Sequence, residues 1–260
     1  MDLAYDQLAL YYQPKMSVSK EKIVGAEALI RWMKPNGEVK LPMTFLPLIE
    51  KYGLTRNLDD FVINRALEQL VIWRDCGIDI SVSVNVSDDF FSHDDFNERL
   101  KLLSNRYKPE IIELLEIEIL ESSELCGCEQ VSRNIERCKK LGLKVSLDDF
   151  GTGYSSLDYL TNFNLNVIKV DKGLINNTPF CKATSIVLKG IVNICHSLGF
   201  KVLAEGVETQ EQLSCIVDYG FDFIQGYYIA KPMCKLEFER WLLNQKNCSM
   251  INCEGYRNVN

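Results

Sequence analysis

Glu27, Asn85, Glu118 and Asp148 offer oxygen donors only, and each falls at or near the C-terminal end of a run that reads as a β-strand. Gln13, Arg31, Asp149, Lys169, Asp171, Glu205 and Gln225 stand at comparable stations along the chain. A single polar residue on a strand means little, but this many stations in register point to one shared site. Several carboxylates held together repel by roughly 4 kcal/mol per pair at 4 Å and an effective dielectric of 20. Such a cluster assembles around a hard cation, for which Mg²⁺ and Mn²⁺ are the expected candidates.

The stretch "LDDFGTG" (147–153) sharpens that expectation. Two adjacent acids do not head a loop whose amides hold a phosphate. Successive strand residues also point to opposite faces, so Asp148 and Asp149 can share a site only where the pleat breaks. The glycines of "FGTG" are the predicted break. Asp148 could then bridge two cations roughly 4 Å apart, with Asp149 serving the second. A two-cation centre generates hydroxide near neutral pH and clamps both oxygens of an in-line phosphoryl displacement. Lys169 adds fixed positive charge, and Arg31, four residues beyond Glu27 on the same strand face, can meet a phosphate there.

Other chemistries fit less well. The chain has only two histidines, His93 and His196, which argues against a zinc site or a histidine-based triad. Two opposed carboxylates on a barrel would suit a glycosidase, but that leaves the adjacent acids and Lys169 unexplained. The formal net charge of −7 speaks against a polymeric nucleic-acid partner or an acidic membrane surface. Ten cysteines without a paired CxxC spacing read as free thiols. No run is apolar enough to span a bilayer, and the acidic start "MDLAYDQLAL" is unlike a signal peptide, so a soluble cytoplasmic protein is expected.

The elements that must position these residues alternate. Strand runs are expected at 8–13, 22–32, 80–86, 114–120, 143–149, 166–171, 200–206 and 221–226, separated mostly by segments of helical period. In 59–77, Asp59 or Asp60 is the expected helix cap and Gly77 the stop; Thr209 with Gln212 forms an expected capping box for a helix ending at Gly220. Eight strands in this rhythm predict an α/β fold, a modified TIM (β/α)8 barrel. The first two strands are joined by too few residues for a helical crossover, so the first strand is expected to be antiparallel. One domain is expected over 1–243, followed by a polar C-terminal tail over 244–260.

The motifs "YYQPK" (11–15), "EALIRW" (27–32), "NVS" (85–87), "EILES" (118–122), "DDFGTGYSSL" (148–157), "KVD" (169–171), "EGVE" (205–208) and "QGYYIAKP" (225–232) occur in this order. Together they resemble the EAL-domain cyclic-di-GMP phosphodiesterases over about residues 7–243. The resemblance implies hydrolysis of cyclic-di-GMP to linear pGpG with two divalent cations, Mg²⁺ or Mn²⁺, by a homodimer. It implies that Glu27, Asn85, Glu118 and Asp148 ligate the first cation. Asp148, Asp149 and Glu205 would serve the second cation or its water. Lys169, helped by Asp171, would contact the nucleophilic water, and Glu205 has a competing reading as general base. Gln13, Arg31 and Gln225 would bind substrate or support the ligands. Glu121, Glu208, Gly151 and Gly153 would hold the loops, Glu121 supporting the one after Asp149.

The sequence departs from the family at Leu120, which replaces a threonine, and at Lys15, which replaces an isoleucine and reads as a surface change. Apart from Glu118, the acidic run 110–124 reads as a solvated strand flank. Phe90, Phe91, Tyr227 and Tyr228 could stack on guanine, but core or rim packing is the stronger reading for each. The alternative to an enzyme is a receptor that binds cyclic-di-GMP or a protein partner without turnover. Only the change at Leu120 favours it.

Overall fold

The computed structural model describes residues 5–93, 95–121, 129–152 and 158–245. Ten strands make one sheet: β1 (Leu8–Ser17), β2 (Lys22–Met33), β3 (Val39–Lys40), β4 (Ser81–Asn85), β5 (Leu115–Leu120), β6 (Lys144–Phe150), β7 (Val167–Val170), β8 (Lys201–Ala204), β9 (Phe223–Ile224) and β10 (Met233–Cys234). Their order is β10-β1-β9-β8-β7-β6-β5-β4-β2-β3, and the further pairing of β1 with β2 closes an eight-stranded barrel. The strands from β2 through β9 that form its wall pair in parallel, whereas β1 runs antiparallel to both β2 and β9. All eight expected strands are present. The two-residue β3 and β10, which are too short to carry a hydrophobic period, were not expected.

Alternation decides which side chains line the barrel. Val82 and Val84, Ile117 and Ile119, Val145 and Leu147, and Ile168 and Val170 are buried in the hydrophobic core. Because side chains alternate along a strand, the residues between them form the opposite, barrel-lining set, and that set is polar. Tyr12, Trp73 and Phe238 pack together, with ring centroids 4.9 Å and 5.3 Å apart for Tyr12–Trp73 and Trp73–Phe238. They tie the antiparallel strand to the helices Thr55–Asp75 and Lys235–Gln245.

Helix termini follow the expected signals in part. Thr209 and Gln212 form the capping box of Gln210–Tyr219, and Gly220 ends it in the left-handed region. The helix Thr55–Asp75 begins earlier than expected and has no side-chain cap. Asp59 lies inside it and accepts a 2.6 Å hydrogen bond from Ser87 Oγ. That serine caps the short helix after Asn85, so Asp59 is an anchor between elements. The helix Lys235–Gln245 runs two residues past the expected domain end at 243, and residues 246–260 of the expected tail lie outside the described ones. The six described cysteines are free. No helix among the described residues is long and apolar enough to cross a membrane.

Candidate active site

The barrel-lining alternation brings the acids together. Single ligand oxygens of Glu27, Glu118 and Asp148 lie within 4.8 Å of one another, and so do those of Asp148, Asp149 and Glu205. Asp148 belongs to both groups. Each group is oxygen-rich, buried or half-buried, and free of histidine and thiolate, which fits Mg²⁺ or Mn²⁺.

The break that lets adjacent acids share the site falls earlier than the sequence predicts. Strand β6 runs on through Phe150, and the β6–β7 register shifts between Leu147 and Phe150. Asp149 itself adopts φ 57°, a conformation rare outside glycine and tolerated by aspartate. The glycine turn thus follows the break instead of making it. Gly151, at φ +102°, donates its N–H to Glu121 Oε2 at 3.1 Å, so Glu121 does touch the loop after Asp149. Gly153 lies outside the described residues.

Lys169 enters the cluster from β7, fully buried. Its Nζ lies 2.7 Å from Glu118, 2.9 Å from Asp148 and from Glu205, and 3.8 Å from Glu27. Burial alone would depress this lysine, but Glu118, Glu27, Asp148 and Glu205 outweigh it and hold the ammonium charged. The acids divide. Burial raises Glu27 and Asp148, and it raises Glu205 to about 8. Asp149 is raised by burial and then by Asp171. Glu118 goes the other way: burial opposes ionisation, but Lys15 and then Lys169 hold its carboxyl at about 2.

A second arc of amides closes the side next to β1. Gln13 pairs in register with Glu27. Gln225 Nε2 donates to Glu27 Oε2 at 2.6 Å and to Gln13 Oε1 at 3.1 Å. Asn85 Nδ2 donates to Glu27 Oε1 at 2.8 Å. Because β1 is reversed and long, Gln13 sits mid-strand and not at a strand end as expected. Gln225 is held by its neighbour. A Cβ on Gly226 would lie 2.1 Å from Val207 O, and only glycine allows this approach of "QGY" to "EGVE". Arg31 is buried on β2, donates to Ile30 O and lies over the Tyr11 ring.

Other expected residues fall outside the cluster. Asp171 caps the turn after β7 by accepting from Gly173 N–H at 2.7 Å. The Glu208 side chain is exposed, and its backbone N–H bonds to Gln212. Phe90 and Phe91 are core residues, while Tyr227 is exposed beside Lys231.

Two expectations are overturned below the acids. Lys15 is not a surface residue: it is 6% exposed, and its Nζ lies 2.7 Å from Glu118 Oε1 and 3.3 Å from Glu116 Oε1. Glu116 is not a solvated flank, for it is also 6% exposed and accepts from Ser146 Oγ at 2.9 Å. The signal was the two-residue period. Lys15 follows Gln13, and Glu116 precedes Glu118, on the same face of their strands.

The chain resembles known proteins in sequence and in fold. The family model described as "EAL domain" matches residues 1–232. The chain is an EAL domain. It is 35% identical over 242 residues to the signaling protein YkoW of Bacillus subtilis, covering 92% of this chain and 30% of that protein. It is also 35% identical to the cyclic di-GMP phosphodiesterase PdeR of Escherichia coli, covering 92% of this chain and 36% of that protein. The EAL chain thus spans about a third of these curated relatives. Among solved structures, the PaMucR phosphodiesterase in complex with c-di-GMP superposes with a TM-score of 0.81 at 33% identity, covering 90% of this chain and 94% of that one.

Proposed function

We propose that this EAL domain hydrolyses cyclic-di-GMP to linear pGpG with two divalent cations, Mg²⁺ or Mn²⁺. The observation that carries the reading is the pair of acid groups sharing Asp148. Relatives named as cyclic di-GMP phosphodiesterases and a c-di-GMP-bound neighbour support the substrate. Glu27, Asn85, Glu118 and Asp148 would hold the first cation, and Asp148, Asp149 and Glu205 the second. When bound, such a pair neutralises phosphoryl oxygens and lowers the pKa of water.

The chain's own groups complete the chemistry. Lys169, fixed by carboxylates on several sides, is a permanent cation beside the reacting centre and orients the attacking water. Glu205, 2.9 Å from Lys169, would hold the second cation beside that water, with the role of base as its competing reading. Gln225 braces Glu27 and is itself bonded to Gln13, and Arg31 would offer charge to the substrate phosphate. The homodimer is proposed on the resemblance alone.

The reading is tested by incubating the protein with cyclic-di-GMP and Mg²⁺ or Mn²⁺ and separating the products. We expect pGpG from the unaltered chain and a loss of at least a hundredfold in Asp148→Asn, on the order of 3 kcal/mol in the barrier. Tight binding of cyclic-di-GMP without pGpG would overturn the enzyme reading in favour of a receptor.

A further inference from the structure

We infer that Lys15 is a positioning residue for the cation centre, acting from inside the barrel beneath it. Lys15 holds Glu118 by one oxygen, leaving the other to face the cluster. This rests on reading Glu118 as a cation ligand.

The geometry is two layers deep. In the upper layer Glu118 is fully buried, with Oε1 on Lys15 and Oε2 on Lys169, both at 2.7 Å. Both oxygens are thereby fixed, and the carboxylate cannot swing about its last torsion without breaking an ion pair. In the lower layer Lys15 also meets Glu116, and Ser146 donates to Glu116. Ser146 stands two residues before Asp148 on β6, as Glu116 stands two before Glu118 on β5. The lower layer therefore underlies two members of the acid cluster.

A purely structural role accounts poorly for this layer. Barrel interiors are ordinarily filled with branched apolar side chains. A buried lysine–glutamate pair commonly contributes no more to stability than apolar residues of the same volume. What the pair adds is a fixed donor for Glu118, with the remaining lysine charge balanced by Glu116. Groups that orient metal ligands in this way typically change metal affinity or activity by 10–100-fold when removed.

The test compares Glu116→Gln, which leaves Lys15 on Glu118, with the double variant Lys15→Met, Glu116→Gln, which removes both charges together. Mn²⁺ binding to the chelator-treated full chain is measured by calorimetry, and thermal unfolding reports the fold. We expect Glu116→Gln to bind Mn²⁺ within about threefold of the unaltered protein. The double variant should bind at least tenfold more weakly, with turnover largely recovered at saturating Mn²⁺. If the double variant does not fold, Lys15→Gln with Glu116→Gln keeps a neutral donor and should show a loss of the same sign. Equal Mn²⁺ affinity in a folded double variant and in Glu116→Gln would overturn the inference while leaving the proposed function intact. An unaltered protein that binds no Mn²⁺ would overturn both.

Discussion

At the scale of the residue, Leu120 is the departure from the family pattern that bears most directly on the proposed activity. It lies two residues beyond Glu118 and opposite Asp148 in the β5–β6 register, yet the residue is 43% exposed. A threonine hydroxyl there would be worth about 1 kcal/mol as a hydrogen bond, and the exposed leucine leaves room for water to take its place. We therefore expect Leu120→Thr to leave turnover equal or raise it by up to about fivefold. Steady-state kinetics on cyclic-di-GMP checks this, and a marked fall would show that leucine is an adapted residue at this position. Lys15 teaches the complementary lesson. Its charge made it look like surface, and only closure of the barrel turned its strand face inward. Polar residues on a strand signal a wet face unless the sheet is closed on itself.

At the scale of the element, the helix Thr55–Asp75 is fastened to the loop after Asn85 through Asp59. Asp59 is buried and accepts from Ser87 Oγ at 2.6 Å and from Ser87 N–H at 3.4 Å. Burial nevertheless dominates and pushes its carboxyl up from 3.8 to about 6. The folded state thus binds more protons than the unfolded chain between about pH 4 and pH 6. Stability linked to Asp59 is fully present below pH 4 and is lost as the pH rises through about 6, by on the order of 3 kcal/mol. Asp59→Asn removes that dependence. Urea unfolding at pH 4.5 and pH 6.5 should show the variant gaining on the unaltered protein at the higher pH; a difference independent of pH would contradict the assignment. A mid-helix acid read from sequence looks like a cap or a solvated side chain. Its partner Ser87 is 28 positions away, and no local pattern announces such a pairing.

At the scale of the whole molecule, the eight-strand rhythm, the reversed first strand and the cluster of acids were legible because each rests on local periodicity or on a loop too short for a crossover. The break at Asp149 and the lower polar layer were not, because both depend on how neighbouring strands shift and close. The assembled barrel concentrates Glu27, Glu118, Asp148, Asp149 and Glu205 around Lys169, so acids outnumber the ammonium at the centre. A ligand that binds only the folded state stabilises it by RT ln(1 + [L]/Kd), about 2.7 kcal/mol at a hundredfold excess over Kd. For a domain of this size each kcal/mol moves Tm by about 2–4 °C. Mn²⁺ at that excess should therefore raise Tm by roughly 5–10 °C over the chelator-treated protein. Asp148→Asn removes the residue common to both acid groups and should abolish most of the shift. Thermal scans with chelator, Mg²⁺ and Mn²⁺ decide the matter without any substrate: an unaltered protein whose Tm ignores the cations would leave these acids without the partner their charge demands.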